Sequence, residues 1–130
     1  MKDVDQLDAL LMKEAGKSTR ILRFPGGSNK TVADKNGPGT MDAIKAAVSR
    51  KGYLYYDWNV FPGESDTPPQ TMVANALRQA SGKNVAIILL HDHRKRAQTL
   101  EALPKIIEGL RAQGFEFYVL DRSVKPILLP

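Results

Sequence analysis

Hydrophobic and polar positions along the chain alternate between a helical period and an extended one. Apolar residues three and four positions apart predict amphipathic helices, and these stretches lie at about 4–15, 41–51, 70–81 and 99–113. Short runs rich in aliphatic and aromatic residues predict strands, at 20–24, 53–58, 84–91 and 115–121. The pattern therefore predicts four helices that alternate with four strands.

Glycine follows each predicted helix, and Thr40 is expected to cap the second. The connections are too long for hairpins, so the alternation predicts an α/β fold with a parallel sheet. The whole chain, 1–130, forms one domain in this interpretation. A complete (β/α) barrel needs about 250 residues, so half of such a barrel is one architecture and a small open sheet of flavodoxin type is the other.

Composition narrows the chemistry available to the chain. It has 130 residues, no cysteine, two histidines and a net charge of +5. Without cysteine, disulfides, thiolate metal sites and cysteine nucleophiles are excluded. The longest apolar run, 85–90, is too short for a transmembrane segment, and the first residues have no stretch of signal-peptide type.

Several predicted strands end on a polar residue, and in parallel α/β folds functional groups gather where strands end. These residues are Arg23, Asp57, His91 and Asp121. His91 follows an apolar strand, and a nearby carboxylate would tune it for proton transfer, so we predict a general acid or base. Arg23 is expected to meet a carboxylate or a substrate oxygen.

Other common sites are not supported. The loop after Gly26 lacks the spacing of a phosphate-binding loop, no dinucleotide motif follows the first strand, and no G-x-S-x-G run surrounds Ser28. Residues 93–96 are basic, but no aromatic stripe accompanies them, so nucleic acid is not an expected partner.

Three motifs in order resemble the second half of a polysaccharide deacetylase domain, from the carbohydrate esterases that act on chitin, peptidoglycan and acetylated xylan. They are RFPGGS at 23–28, YYDWNV at 55–60 and LLHD at 89–92, and residues 99–121 resemble the closing helix and strand of that domain. The resemblance covers residues 3–120 and implies part of a distorted (β/α) barrel.

The resemblance also implies roles. Such enzymes use a divalent metal, usually zinc, an aspartate base, and a histidine that protonates the leaving amine or alcohol. His91 matches that acid, and Arg23 matches the arginine that orients the base. Asp57 and Glu64 are alternatives for the carboxylate that tunes the histidine. The remaining matched positions are the substrate-binding residues Pro25, Trp58 and Leu90.

The sequence departs from the family at its start. An aspartate pair and two metal-ligating histidines three residues apart are expected before Asp3, and the sequence does not contain them. We therefore expect no metal bound by this chain alone and no activity alone. Acetylated polysaccharide is the implied partner, together with self-association or a complementing N-terminal half, and the family is usually secreted or cell-envelope.

Two other functions remain open from the residues. The first is a non-catalytic carbohydrate-binding domain, in which Tyr53, Tyr55, Tyr56 and Trp58 stack on sugar rings. The second is a regulatory α/β domain whose positive charge binds polyanions in a salt-dependent way.

Overall fold

The computed structural model describes residues 2–29, 35–92 and 97–130. It contains an α/β fold with four helices and a small parallel sheet. The helices are α1 (Lys2–Ala15), α2 (Thr40–Arg50), α3 (Pro69–Ala80) and α4 (Ala97–Ala112), and the strands are β1 (Ile21–Leu22) and β2 (Leu54–Tyr55). The four predicted helices are confirmed, with ends within a few residues of the expected positions.

Local chemistry explains where the helices begin. Acidic residues occupy the first turn of α1, where they oppose the positive end of the helix dipole. Pro69 opens α3, where its missing N–H has no helical acceptor to lose. The prediction that Thr40 caps α2 is wrong: the cap is Gly39, at φ 78°, and the Thr40 hydroxyl donates to the carbonyl of Gly37 at 2.6 Å.

The parallel sheet is smaller than the sequence predicts. β1 pairs with β2 in parallel, with Ile21 opposite Leu54 and Leu22 opposite Tyr55. The third predicted strand contributes a single parallel bridge, between Val60 and Ile88. The fourth predicted strand, 115–121, forms no ladder with any described residue, so its prediction as a strand is corrected.

The chain divides into two compact units. Unit 1 is Met1–Asp57 with Leu120–Pro130, and unit 2 is Trp58–Val119. In unit 1 the fully buried ring of Tyr56 donates its hydroxyl to the carbonyls of Val124 and Asp121, at 2.8 and 3.0 Å. These bonds tie the C-terminal segment to the residue that follows β2.

Unit 2 is built on the packing of α3 against α4. Its buried cluster consists of Val60, Met72, Ala76, Ala80, Ala102, Ile106 and Leu110. Gly109 lies so close to Leu77 that a Cβ there would stand 2.7 Å from a leucine methyl, so a small residue at this position lets the two helices approach. The bridge segments beside this core carry the candidate site.

Two apolar surfaces of the described chain remain exposed. α1 has no buried residue, and Leu7 and Leu10 are half exposed. In the segment after α4, Tyr118 and Val119 are 81% and 85% exposed. No helix within the described ranges combines the length and apolar character needed to cross a bilayer.

Candidate active site

His91 and Glu64 form a close polar pair in unit 2. The Nε2 atom of His91 lies 3.1 Å from Oε2 of Glu64 and is itself buried. The His91 side chain nevertheless keeps 34% of its surface exposed, and Glu64 keeps 70%. The exposed part of the imidazole therefore lies away from Nε2, and the Glu64 carboxylate lies within ion-pair distance of the buried nitrogen.

The Val60–Ile88 bridge explains why these two side chains meet. Leu89 donates its N–H to the carbonyl of Val60 at 3.0 Å. One residue before the bridge, the Asn59 amide accepts from Ile87 N–H and donates to the Val85 carbonyl, both at 2.9 Å. Two parallel segments in fixed register end at the same edge. Glu64 and His91 follow those segments.

The turn that carries Glu64 is tight. Thr67 donates its N–H to the Glu64 carbonyl at 2.9 Å. Gly63 has φ 146°, and a Cβ at that position would overlap the Thr67 side chain. Glycine is therefore required there, both for the backbone angle and for the space.

An aromatic ring completes the surroundings of His91. Phe61 meets the imidazole edge-on, with ring centroids 6.1 Å apart and planes at 88°. A ring held on one side by a carboxylate and on another by an aromatic edge has few orientations left. Such an imidazole, when protonated, is able to donate a proton in a fixed direction.

Asp57, in unit 1, is held differently. It is fully buried, and its carboxylate accepts from the Ser28 N–H at 2.8 Å, the Ser28 hydroxyl at 2.5 Å and the Leu129 N–H at 2.9 Å. Its own N–H donates to the Ile127 carbonyl at 2.8 Å. Asp57 thus fastens both the loop after β1 and the C-terminal segment to the end of β2.

Arg23 lies beside this cluster. Its guanidinium donates to the Asp57 carbonyl at 3.4 Å. Burial lowers the pKa of Arg23 from its ordinary value, and the charge of Asp57 raises it in part. Because an arginine pKa starts so high, the guanidinium remains charged at neutral pH. This hydrogen bond goes to a backbone carbonyl oxygen, so the expectation that Arg23 meets a carboxylate or a substrate oxygen stays a prediction.

The other predicted substrate residues have mixed surroundings. Pro25 lies exposed in the turn after β1, in unit 1. Trp58 and Leu90, in unit 2, are half-buried, and Leu90 packs against the unit 2 core. Their assignment to substrate binding stays a prediction.

Comparison with known proteins adds independent information. No protein-family profile matches the chain. Over 71 residues, 55% of this chain, it is 43% identical to a bifunctional xylanase/deacetylase from Pseudobutyrivibrio xylanivorans, and this stretch is 11% of that protein. Over 124 residues it is 26% identical to a peptidoglycan-N-acetylglucosamine deacetylase from Bacillus cereus, covering 90% of this chain and 41% of that protein.

Solved structures match over nearly the whole chain. The catalytic domain of a peptidoglycan N-acetylglucosamine deacetylase from Eubacterium rectale superposes with a TM-score of 0.86 at 29% identity, covering 97% of this chain and 58% of that one. The curated relatives and solved structures all point to a polysaccharide deacetylase catalytic domain. A polysaccharide deacetylase from Bacillus cereus shows the same fold, with a TM-score of 0.75 at 22% identity, covering 95% and 59%.

The polysaccharide deacetylase resemblance read from the three motifs is therefore confirmed. The chain spans less than half the length of the curated deacetylases described above and about three fifths of the solved deacetylase chains.

The divalent metal that the deacetylase resemblance implies has no matching ligand set in the described residues. No three side chains among the His, Asp and Glu residues of 2–29, 35–92 and 97–130 stand together as a cation site. His93 and the basic run 93–96 lie outside the described residues.

The carbohydrate-stacking alternative loses part of its support beside the deacetylase fold. Tyr53 and Tyr56 are buried, 5% and 1% exposed, so neither ring offers a face to a sugar. Tyr55 packs against Phe24, with ring centroids 5.1 Å apart. These strand aromatics belong to the packing of unit 1, which is the common fate of aromatic residues in strands.

Sequence reasoning did not identify the partners of three residues that shape these clusters. Ser28 lies in the predicted turn after the first strand, and its role as a partner of Asp57 has no sequence motif. Asn59 and Gln79 are amides on a bridge segment and a helix, and each bonds backbone groups far away in the sequence. An Asn directly after Asp57-Trp58 was a signal of a polar strand end, but it did not indicate the partner.

Proposed function

We propose that this chain supplies the proton-donating part of a polysaccharide deacetylase, with His91 as the general acid. The 3.1 Å contact between His91 Nε2 and Glu64 carries the proposal. It joins the histidine of the LLHD motif to one of the two carboxylates that the sequence offered for tuning it. Glu64 is favoured for that role, since the carboxylate of Asp57 already accepts three hydrogen bonds in the core of unit 1.

The proposed step is the hydrolysis of an N-acetyl group. A water oxygen gives one proton to the base and bonds to the acetyl carbonyl carbon, and the carbon–nitrogen bond then breaks with its electron pair moving to nitrogen. The protonated imidazole of His91 gives its proton to that nitrogen, so the products are acetate and a free amine. Glu64 holds the buried Nε2, which directs the exposed part of the ring toward the leaving group.

Acetylated polysaccharide is the proposed substrate class. The Bacillus cereus and Eubacterium rectale proteins are both named for peptidoglycan N-acetylglucosamine. Because of that similarity, we propose that the substrate is a polymer containing N-acetylglucosamine. Pro25, Trp58 and Leu90 are proposed to contact it, and Arg23 to orient the base.

Activation of the water needs groups that this sequence does not offer in the family's pattern. It contains two histidines, His91 and His93, and no pair of histidines three residues apart. We propose that the base and the metal ligands come from a complementing N-terminal half of the domain. The 130 residues on their own are then expected to release no acetate.

A chimera tests this assignment. The 130 residues replace the matching 58% of the Eubacterium rectale catalytic domain, and acetate release from N-acetylglucosamine oligomers is measured. H91A is expected to lower the rate by about 100-fold or more, with E64Q lowering it less. D66N, in the same loop and exposed, is the matched control. An H91A chimera as active as its parent contradicts the proposal, as does acetate release by the 130 residues alone.

We also propose that the segment after α4 is a pairing edge for a second copy of this chain. Tyr118 and Val119 are largely exposed there, in a run whose sequence favours a strand. Light scattering at rising concentration is expected to show association that V119K abolishes, and a monomer at every concentration contradicts it.

A further inference from the structure

Gln79 on α3 forms two hydrogen bonds with the backbone of Phe61, in the loop that leads to Glu64. Its Oε1 accepts the N–H of Phe61 at 2.8 Å, and its Nε2 donates to the carbonyl of Phe61 at 2.8 Å. One turn earlier on the same helix, Asn75 Nδ2 donates to the carbonyl of Pro62 at 2.9 Å. A side-chain amide that both donates and accepts replaces the pairing that a neighbouring strand would give.

The segment that Gln79 and Asn75 bind carries two of the contacts that His91 makes. Phe61 places its ring against the imidazole, and Glu64 follows only two residues after Pro62. Pro62 is fully buried, and the Thr67 side chain lies close against Gly63, so the short connection has little freedom. A displacement of the Phe61 peptide would therefore move the aromatic edge and the carboxylate together.

We propose that Gln79, supported by Asn75, is the positioning residue of the Glu64–His91 pair. This proposal rests on the proposed function, since it concerns the same pair. The position of the pair can nevertheless be measured in a chain that has no activity. The requirement is specific: a leucine at 79 keeps the size and loses both bonds, whereas a glutamate keeps the acceptor and loses the donor.

The test uses the full chain and the NMR signals of the His91 imidazole, assigned by their loss in H91A. E64A defines how the ring signals change when the carboxylate contact is removed. Q79L is expected to move the His91 signals by at least half of the displacement produced by E64A. Q70L is the control, since Gln70 is exposed on the first turn of the same helix.

Circular dichroism of each variant separates positioning from folding. A folded Q79L chain with unchanged His91 signals overturns the proposal. If Q79L unfolds, Q79E decides, because it removes only the donor to the Phe61 carbonyl. Displaced His91 signals in a folded Q79E chain support the proposal, and unchanged His91 signals contradict it. The proposed function fails separately, through a fully active H91A chimera, whatever Gln79 does.

Discussion

Asp57 and Glu64 are both carboxylates placed just beyond an extended segment, yet their surroundings are opposite. Asp57 is fully buried and accepts three hydrogen bonds from Ser28 and Leu129. Glu64 keeps 70% of its side chain exposed and faces one histidine nitrogen. A buried carboxylate with every bond provided by its own fold serves stability. An exposed one beside a partly exposed imidazole remains available to a substrate.

The largest effect expected from this comparison is on folding stability at Asp57. D57A leaves the buried N–H of Ser28 and the partly buried N–H of Leu129 without their acceptor, and is expected to lower the free energy of unfolding by about 4 kcal/mol. Urea denaturation measures it. D66A, at an exposed aspartate, should change stability by less than about 0.5 kcal/mol. Equal effects of the two variants would show that Asp57 is not a structural centre.

Ser28 should show a smaller version of the same effect. S28A removes the hydroxyl bond to Asp57 and keeps the N–H bond, so a loss of about 2 kcal/mol is expected for a bond to a charged acceptor. The same urea titration measures it. In a D57A background the serine substitution should cost much less, because its partner is already gone. Full additivity of the two losses would count against a direct bond.

Glu64 should affect stability least of the three. Because the pair is partly exposed and screened by solvent, E64A is expected to change the free energy of unfolding by less than about 1 kcal/mol. The same variant should clearly alter the His91 ring signals. A loss of stability as large as that of D57A would make Glu64 a structural carboxylate and remove the contrast.

The smallest expected effect concerns the pKa of Asp121. The hydroxyl and N–H of Ser123 donate to its carboxylate, at 2.5 and 2.8 Å, and lower the pKa of Asp121 from its ordinary value. The charged Asp121 carboxylate therefore contributes to folding stability above its unfolded pKa, and this contribution is lost as the pH falls through its lower pKa in the folded chain. S123A should raise the pKa of Asp121 in a carboxyl NMR titration. An unchanged pKa would contradict the hydrogen-bond cause.

The helices were predictable because their signal is local. Periodic apolar residues, Pro69 at a helix start and glycines after helix ends each act within a few residues. The prediction of a strand at 115–121 was wrong for the opposite reason. Aromatic and β-branched residues favour an extended chain, but they do not supply the neighbouring segment that makes it a strand.

In the candidate site, too, the residues were predictable from the sequence but their contacts were not. Both Glu64 and His91 were named from the sequence, Glu64 as one of two carboxylates that the family resemblance offered and His91 also by its place after an apolar run. Their contact depends on the register between Val60 and Ile88, and so on the amide of Asn59. Bonds such as those of Gln79 join a helix side chain to a backbone group 18 residues away and leave no periodic trace.

The bond from Leu129 to Asp57 also bears on the order in which the chain folds as it is made. Its two ends lie 72 residues apart in the sequence, and unit 1 is assembled from two separate stretches. On the ribosome, residues 58–119 are complete before Leu129 exists, so continuous unit 2 is able to pack first. Unit 1 acquires the Asp57–Leu129 bond only after unit 2 has been synthesised, and until then its incomplete packing leaves it open to proteases and chaperones.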